Sequence, residues 1–236
     1  TMTVSGGPSW DKGSSLTLTI SGDTFPASPE GNVYVLRDGE DYVRLTVDSR
    51  NSNTECTVTP DRTVPAGLQG TATASWEYAV DELSGLDHLE GKDVAILYDG
   101  NVHVHRTVSS GSITLQEHGA VIHVGLPYTC DLKTLPIAGG QSSTRPRKIN
   151  VPGVSMLVKE SRGIFAGPEF DQLDEFKQRD AADGWQAIPG LTGIAEIPTA
   201  SGWDLDGQIA LRQADPLPLS VLSVYPDVKS GGASVG

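Results

Sequence analysis

Val102-His103-Val104-His105 places two imidazoles two residues apart, and in an extended strand that spacing puts both on one face, where they could grip a metal together. A working zinc site needs a third ligand. His88 and His123 are the candidates, and neither stands at a spacing that zinc sites use. The competing reading is two solvent-facing imidazoles opposite an apolar face of Val102 and Val104. Carboxylates offer a second chemistry: Asp171 with Asp174, or Asp204 with Asp206, could flank a glycosidic bond if their carboxyl groups stood roughly 5 to 9 Å apart. Turn-forming neighbours argue otherwise, and Asp204 to Gly207 reads as the cap of a β-turn. No phosphate-binding glycine loop or catalytic cysteine signature is present. The expectation is therefore no enzyme, no catalytic residue, no metal and no cofactor. Trp10, Trp76, Trp185 and Trp203, with Tyr128 and Tyr225, could stack on sugars from one platform, but they are dispersed along the chain. Cores and subunit contacts are the expected use of such rings.

The elements that must position these residues are short strands. From Leu16 to Ser75, alternating runs (LTLTI, NVYVL, VRLTV, CTVTP) are separated by turn chemistry, the pattern of antiparallel strands. Asp38-Gly39 is a hairpin signal and Asn51 to Glu55 a longer polar loop. Leu16, Leu18 and Ile20 share a face, with Val33, Val35, Val43, Leu45 and Val47 expected to point inward. Ala74 to Leu83 reads as a short helix or an extended linker. From Lys92 to Leu135 the alternation returns as meander strands, with Asp99-Gly100 and Ser110-Gly111 as tight turns. The run Gly139 to Thr144 reads as a flexible break, and the basic Arg145 to Lys148 cluster opens a third region. Asp171 to Arg179 has room for one or two helical turns, but flanking Gly and Pro favour a loop excursion. The reading is an all-β chain of two to three small antiparallel β-sandwich or barrel-like domains with little helix: 1–80, 81–145 and 146–236, the last two able to pack as one unit.

A chain of 236 residues can bury more than half of its extended surface, so a packed core is expected. No apolar run approaches the roughly 18 residues of a membrane-spanning helix, and the start lacks a basic-then-apolar signal. A soluble protein without a membrane span is the expectation. Thr1 opens inside a β-patterned stretch without an initiator methionine, which suggests a piece of a longer chain. Cys56 and Cys130 form neither a disulfide framework nor a zinc pattern, and both are expected reduced. The net charge of -13 argues against a nucleic-acid grip, because affinity for phosphate comes from Lys and Arg displacing counterions.

Three phrases occur in order: Gly85-Leu-Asp-His-Leu-Glu-Gly91, Leu97-Tyr-Asp-Gly100 and Val124-Gly-Leu-Pro-Tyr128. A fourth, Ile209-Ala-Leu-Arg-Gln-Ala-Asp-Pro-Leu-Pro-Leu219, follows an Arg147-Lys-Ile149 strand start and a Ser161-Arg-Gly163 turn. In these the chain resembles the tail nozzle or tail hub family of bacterial viruses, over about residues 75 to 230. The first region resembles it by strand rhythm alone.

The resemblance implies a virion protein of the phage tail, assembled in the host bacterial cytoplasm. It also implies self-association into a ring, hexameric in the family, forming a tube through which DNA leaves and to which adaptor, spike or fibre proteins attach. In such a channel an acidic wall lets DNA slide past without specific binding, although ordinary solubility accounts for the charge equally well. The expected subunit-interface or shape elements are Asp87, His88, Leu89 and Glu90, the strand end at Tyr128, and the turn Asp215, Pro216, Leu217, Pro218 and Leu219. Proline fixes φ and withholds an N–H, so the last two segments each end a ladder and turn the chain. The alternatives are a β-sandwich adhesin or receptor-binding module for a bacterial surface glycan, and a tail-associated depolymerase built on a carboxylate pair.

Overall fold

The computed structural model describes residues 1–7, 9–39, 41–137, 148–179, 188–200 and 202–231. The break expected at Gly139 to Thr144, most of the basic cluster that follows it, and Trp185 lie outside the described residues. The described chain is all-β. In order it forms β1 (Met2–Ser5), β2 (Leu16–Ile20), β3 (Val33–Asp38), β4 (Asp41–Arg50), β5 (Glu55–Pro60), β6 (Ala72–Thr73), β7 (Trp76–Leu83), β8 (Asp93–Tyr98) and β9 (Asn101–Thr107). There follow β10 (Ile113–Gly119), β11 (Ile122–Gly125), β12 (Cys130–Lys133), β13 (Ile149–Ser161), β14 (Phe165–Glu169), β15 (Gln172–Glu175), β16 (Leu191–Pro198), β17 (Ala210–Gln213) and β18 (Val221–Ser230). Helix is confined, among the described residues, to single 3₁₀ turns at Ala66–Leu68 and Asp87–Leu89. None is long and apolar enough to cross a membrane.

The strands gather into two compact units, Thr1–Gly91 with Thr107–Ile122, and Lys92–Arg106 with His123–Gly236. The stretch 81–145 therefore supplies strands to both. In the first unit, one sheet runs β10-β7-β3-β4-β5-β2-β1-β6. It curls until its far edge meets its middle: Thr73 Oγ1 of β6 donates to Arg37 O of β3 at 3.2 Å. The enclosed core holds Met2, Val4, Leu16, Leu18, Ile20, Leu36, Val43, Leu45, Val47, Cys56 and Val58, with Trp10 and Trp76 packed at its margin. Alternation put Leu16, Leu18 and Ile20 on this side, as their burial bears out. Truncating one such side chain to Ala costs about 2–5 kcal/mol.

Two expectations in this unit are corrected. Val33 and Val35 are buried, but with Ala79, Tyr42 and Ala120 on the face away from the main core, while Tyr34 and Leu36 point into it. Strand β3 lies between β4 and β7 and is covered on both faces, so its alternation has no solvent side. The second concerns Ala74 to Leu83, neither helix nor linker over most of its length: Trp76–Leu83 is a strand paired to β3 on one side and β10 on the other. Ladder partners on both edges outweigh the helical propensity of its Ala, Glu and Leu residues.

The second unit contains sheets β11-β8-β9, β12-β17-β14-β15 and β16-β13-β18. Its main core joins Val151, Val154, Met156 and Val158 of β13 to Ala195 and Ile197 of β16, Ala166 of β14 and Leu211 of β17. The hairpin β8–β9 turns at Asp99 and Gly100, with φ of 46° and 76°, the left-handed pair that a two-residue hairpin requires. Ser110 and Gly111 repeat that geometry in the first unit with φ of 53° and 67°. Where a loop excursion was expected at Asp171 to Arg179, Gln172–Glu175 instead pairs with β14 as β15.

Candidate functional site

The phrase Gly85 to Gly91 wraps the Ser110-Gly111 turn. Its 3₁₀ turn is held at both ends, Leu86 N donating to Gly111 O at 2.8 Å and Gly91 N to Val108 O at 3.0 Å. Glu90 bridges the turn itself: its carboxylate accepts from Ser110 N at 3.0 Å and from Gly111 N at 2.8 Å. Asp87 closes over the same place, since a Cβ at Gly111 would stand 2.5 Å from Asp87 Oδ1. Glycine is thus required there twice, by its positive φ and by the carboxylate above it. Leu86 is the buried anchor of the phrase, Leu89 is half-buried, and His88 is exposed.

The other two candidate segments meet. β12 pairs with β17 antiparallel, Cys130 opposite Gln213, so the residues just before β12 run beside those just after β17. His123 to Tyr128 and Ala214 to Pro216, with Ala95 of β8, line a largely apolar cleft of about 240 Å³. Prolines at 127 and 216 keep the two walls from extending the ladder. At its rim Leu126 is 58% and Tyr128 74% exposed, large apolar surfaces with no cover within the unit.

The wall formed by Asp215 to Leu219 is fixed from behind. Gln213 Nε2 donates to Leu217 O at 3.1 Å and to Arg162 O at 3.0 Å, while Arg162 N donates to Pro218 O at 2.9 Å. Leu219 packs on the main core of the unit, whereas Pro218 is exposed. Sequence reading included Gln213 within the longer phrase but assigned it no role, and the long-range partner of its side chain left no local signal.

The histidines stand differently from either reading. His103 is buried, edge-on to Tyr98 with ring centroids 5.6 Å apart, and its Nδ1 lies 2.6 Å from Val104 O. His105 is exposed and pairs with Asp93 at 2.8 Å. Val102 and Val104, expected to be the apolar inner face, are 38% and 54% exposed. The aromatic ring of Tyr98 supplies the inner wall on the imidazole side, which reverses the expected facing. Among the described residues no three His, Cys, Asp or Glu side chains are grouped to hold a metal. Asp204 exchanges backbone hydrogen bonds with Ile149, and its Oδ1 accepts from Leu205 N at 2.6 Å. Asp171 falls on the β14–β15 turn and Asp174 is exposed on β15. Trp203 and Tyr225 are 52% and 55% exposed.

Tyr34, Cys56 and Asp131 are among the described titrating groups that depart clearly from ordinary behaviour. Burial, and then the neighbouring Tyr78, push the Tyr34 hydroxyl up to about 12. Burial likewise raises the Cys56 thiol. The hydrogen bonds from Arg212 hold the Asp131 carboxyl below its usual range, at 2.7 and 2.8 Å. This pair ties β12 to β17 immediately beside the cleft.

Compared with known proteins, the chain matches no family model, and no curated protein matches it.

Proposed function

We propose that the chain is a structural component of a bacteriophage tail, part of the nozzle or hub tube through which DNA is ejected, with copies closing into a ring and adjacent tail proteins attached around it. One observation carries the reading. Two phrases of the resemblance, some 90 residues apart by number, converge on one cleft whose rim residues Leu126 and Tyr128 stand exposed. Large aromatic and aliphatic side chains held out by a proline-stiffened wall are what a subunit contact needs, since buried aromatic anchors dominate such interfaces. The wall is already rigid before any partner arrives, which lowers the ordering cost of association. The net charge of -13 suits a channel that DNA must traverse without sticking. In this reading the work is done by contact area and closure symmetry, and no reaction chemistry is required.

Immunogold electron microscopy of parent virions, with antibody raised against this chain, tests the proposal. Axial label near the lower tail is the expected result. Label on peripheral fibres would transfer the chain to the adhesins, and unlabelled virions would remove it from the tail altogether.

A further inference from the structure

A second cavity of about 480 Å³ in the second unit shares Asp215 with the cleft and is lined also by Arg162, Gly163, Phe176, Arg179 and Leu217. Its volume falls in the range of small-molecule sites, roughly 300–1,000 Å³. Three features of its wall specify a ligand chemistry. Two guanidinium groups share it. Arg162 is held by donation from Nη1 to Gly100 O at 2.6 Å, and Arg179 by donation from Nη2 to Asn101 Oδ1 at 2.7 Å. The pull on Arg162 is downward, first from burial and then from the like charge of Arg179, so the two cations are close enough to disfavour each other. A carboxylate between them relieves that repulsion and is the group guanidinium forks bind best.

The remaining wall suits hydroxyls and a ring. Glu175 and Asp215 are acceptors, Gln178 brings an amide that also donates to Ser161 O at 2.9 Å, and Phe176 and Leu217 offer apolar surface. Behind Gly163, Gln213 spends its amide hydrogens on Arg162 O and Leu217 O, which fixes Oε1 as the remaining atom of the group. That oxygen is buried and without a hydrogen-bond partner, 3.3 Å from where a Cβ at Gly163 would stand. A donor entering past the glycine, with Leu217 shifted aside, would satisfy it. We propose that this cavity binds an acidic sugar, a uronic acid residue of a polysaccharide, with its carboxylate between Arg162 and Arg179 and its ring against Phe176. The site does not depend on ring formation by the chain.

Ligand-observed NMR of the whole chain with glucuronic and galacturonic acid, against glucose and galactose at the same concentrations, tests it. The acids are expected to show saturation transfer and the neutral sugars at least tenfold less. Arg179→Gln and Arg162→Gln are each expected to weaken the signal of the acids at least tenfold. Both side chains also hold the β8–β9 hairpin, Arg162 at Gly100 and Arg179 at Asn101, so an unchanged thermal unfolding curve for the Arg179 variant is required to confirm that the fold is intact. Silence from both acids, equal transfer from the neutral sugars, or full binding by folded Arg179→Gln would each overturn the proposal.

Discussion

The Asp87–Glu90 phrase and the Val124–Tyr128 strand end attracted notice for the same reason, yet the structure uses them in opposite directions. The first turns inward. Glu90 and Asp87 spend their carboxylates on the Ser110-Gly111 turn of their own unit. The second turns outward, holding Leu126 and Tyr128 in solvent beside Asp215 and Pro216. A sequence phrase can thus record how a chain folds or what it touches, and the hydrogen bonds of the phrase separate the two. A segment whose polar groups are satisfied at home has a folding role already. One whose apolar groups are left uncovered has a role still to be filled.

This contrast can be broken most forcefully at Gly111. Replacing it with Val forces a branched side chain into a left-handed φ of 67° and onto Asp87, and a loss of about 3 kcal/mol is expected from urea unfolding. Glu90→Ala removes the acceptor of two backbone N–H groups and is expected to cost roughly 1–2 kcal/mol. A neutral result there would mean that the clasp is incidental.

A pH titration sharpens the same comparison, because Tyr34 reports on the unit that contains the clasp. Its folded pKa of about 12 lies above the ordinary 10.0. The raised value favours the protonated ring in the fold, so its contribution is whole below pH 10 and is lost as pH climbs through 12. Unfolding followed by the fluorescence of Trp76, whose ring lies 6.1 Å from Tyr34, should show stability falling across that window. A flat profile from pH 9 to 12 would contradict the assigned burial.

The smallest expected change in stability is at Tyr128. Tyr128→Ala should leave the unfolding midpoint within about 0.5 kcal/mol of the parent, while abolishing any ring seen by negative-stain microscopy. If Tyr128→Ala destabilised the monomer as much as Glu90→Ala, the outward reading of the strand end would fail.

Sequence pattern was most legible where the physics is local. Asp99-Gly100 and Ser110-Gly111 announce themselves because left-handed pairs need such residues. Leu16, Leu18 and Ile20 do so because their strand has one buried face. Legibility failed where a distant partner decides the outcome. Trp76–Leu83 is a strand because β3 and β10 flank it, and neither neighbour is visible from the composition of the segment. Val33 and Val35 serve a second cluster because β3 is central. His103 faces inward because Tyr98 receives it. The cleft itself depends on Cys130 standing opposite Gln213, a pairing across more than eighty positions that no local pattern encodes.

The chain changes unit at Gly91, at Arg106 and again at Ile122. Neither half can therefore be obtained by shortening the polypeptide from one end. A truncation after residue 91 removes β10 from the first sheet, and one beginning at residue 123 deprives the second of β8 and β9. During synthesis the first sheet can be completed only after residue 119 has left the ribosome, by which time the β8–β9 hairpin already awaits β11. A single protease nick near residue 106 or 122 would leave two fragments still bound by shared sheets, eluting together until denaturant is added.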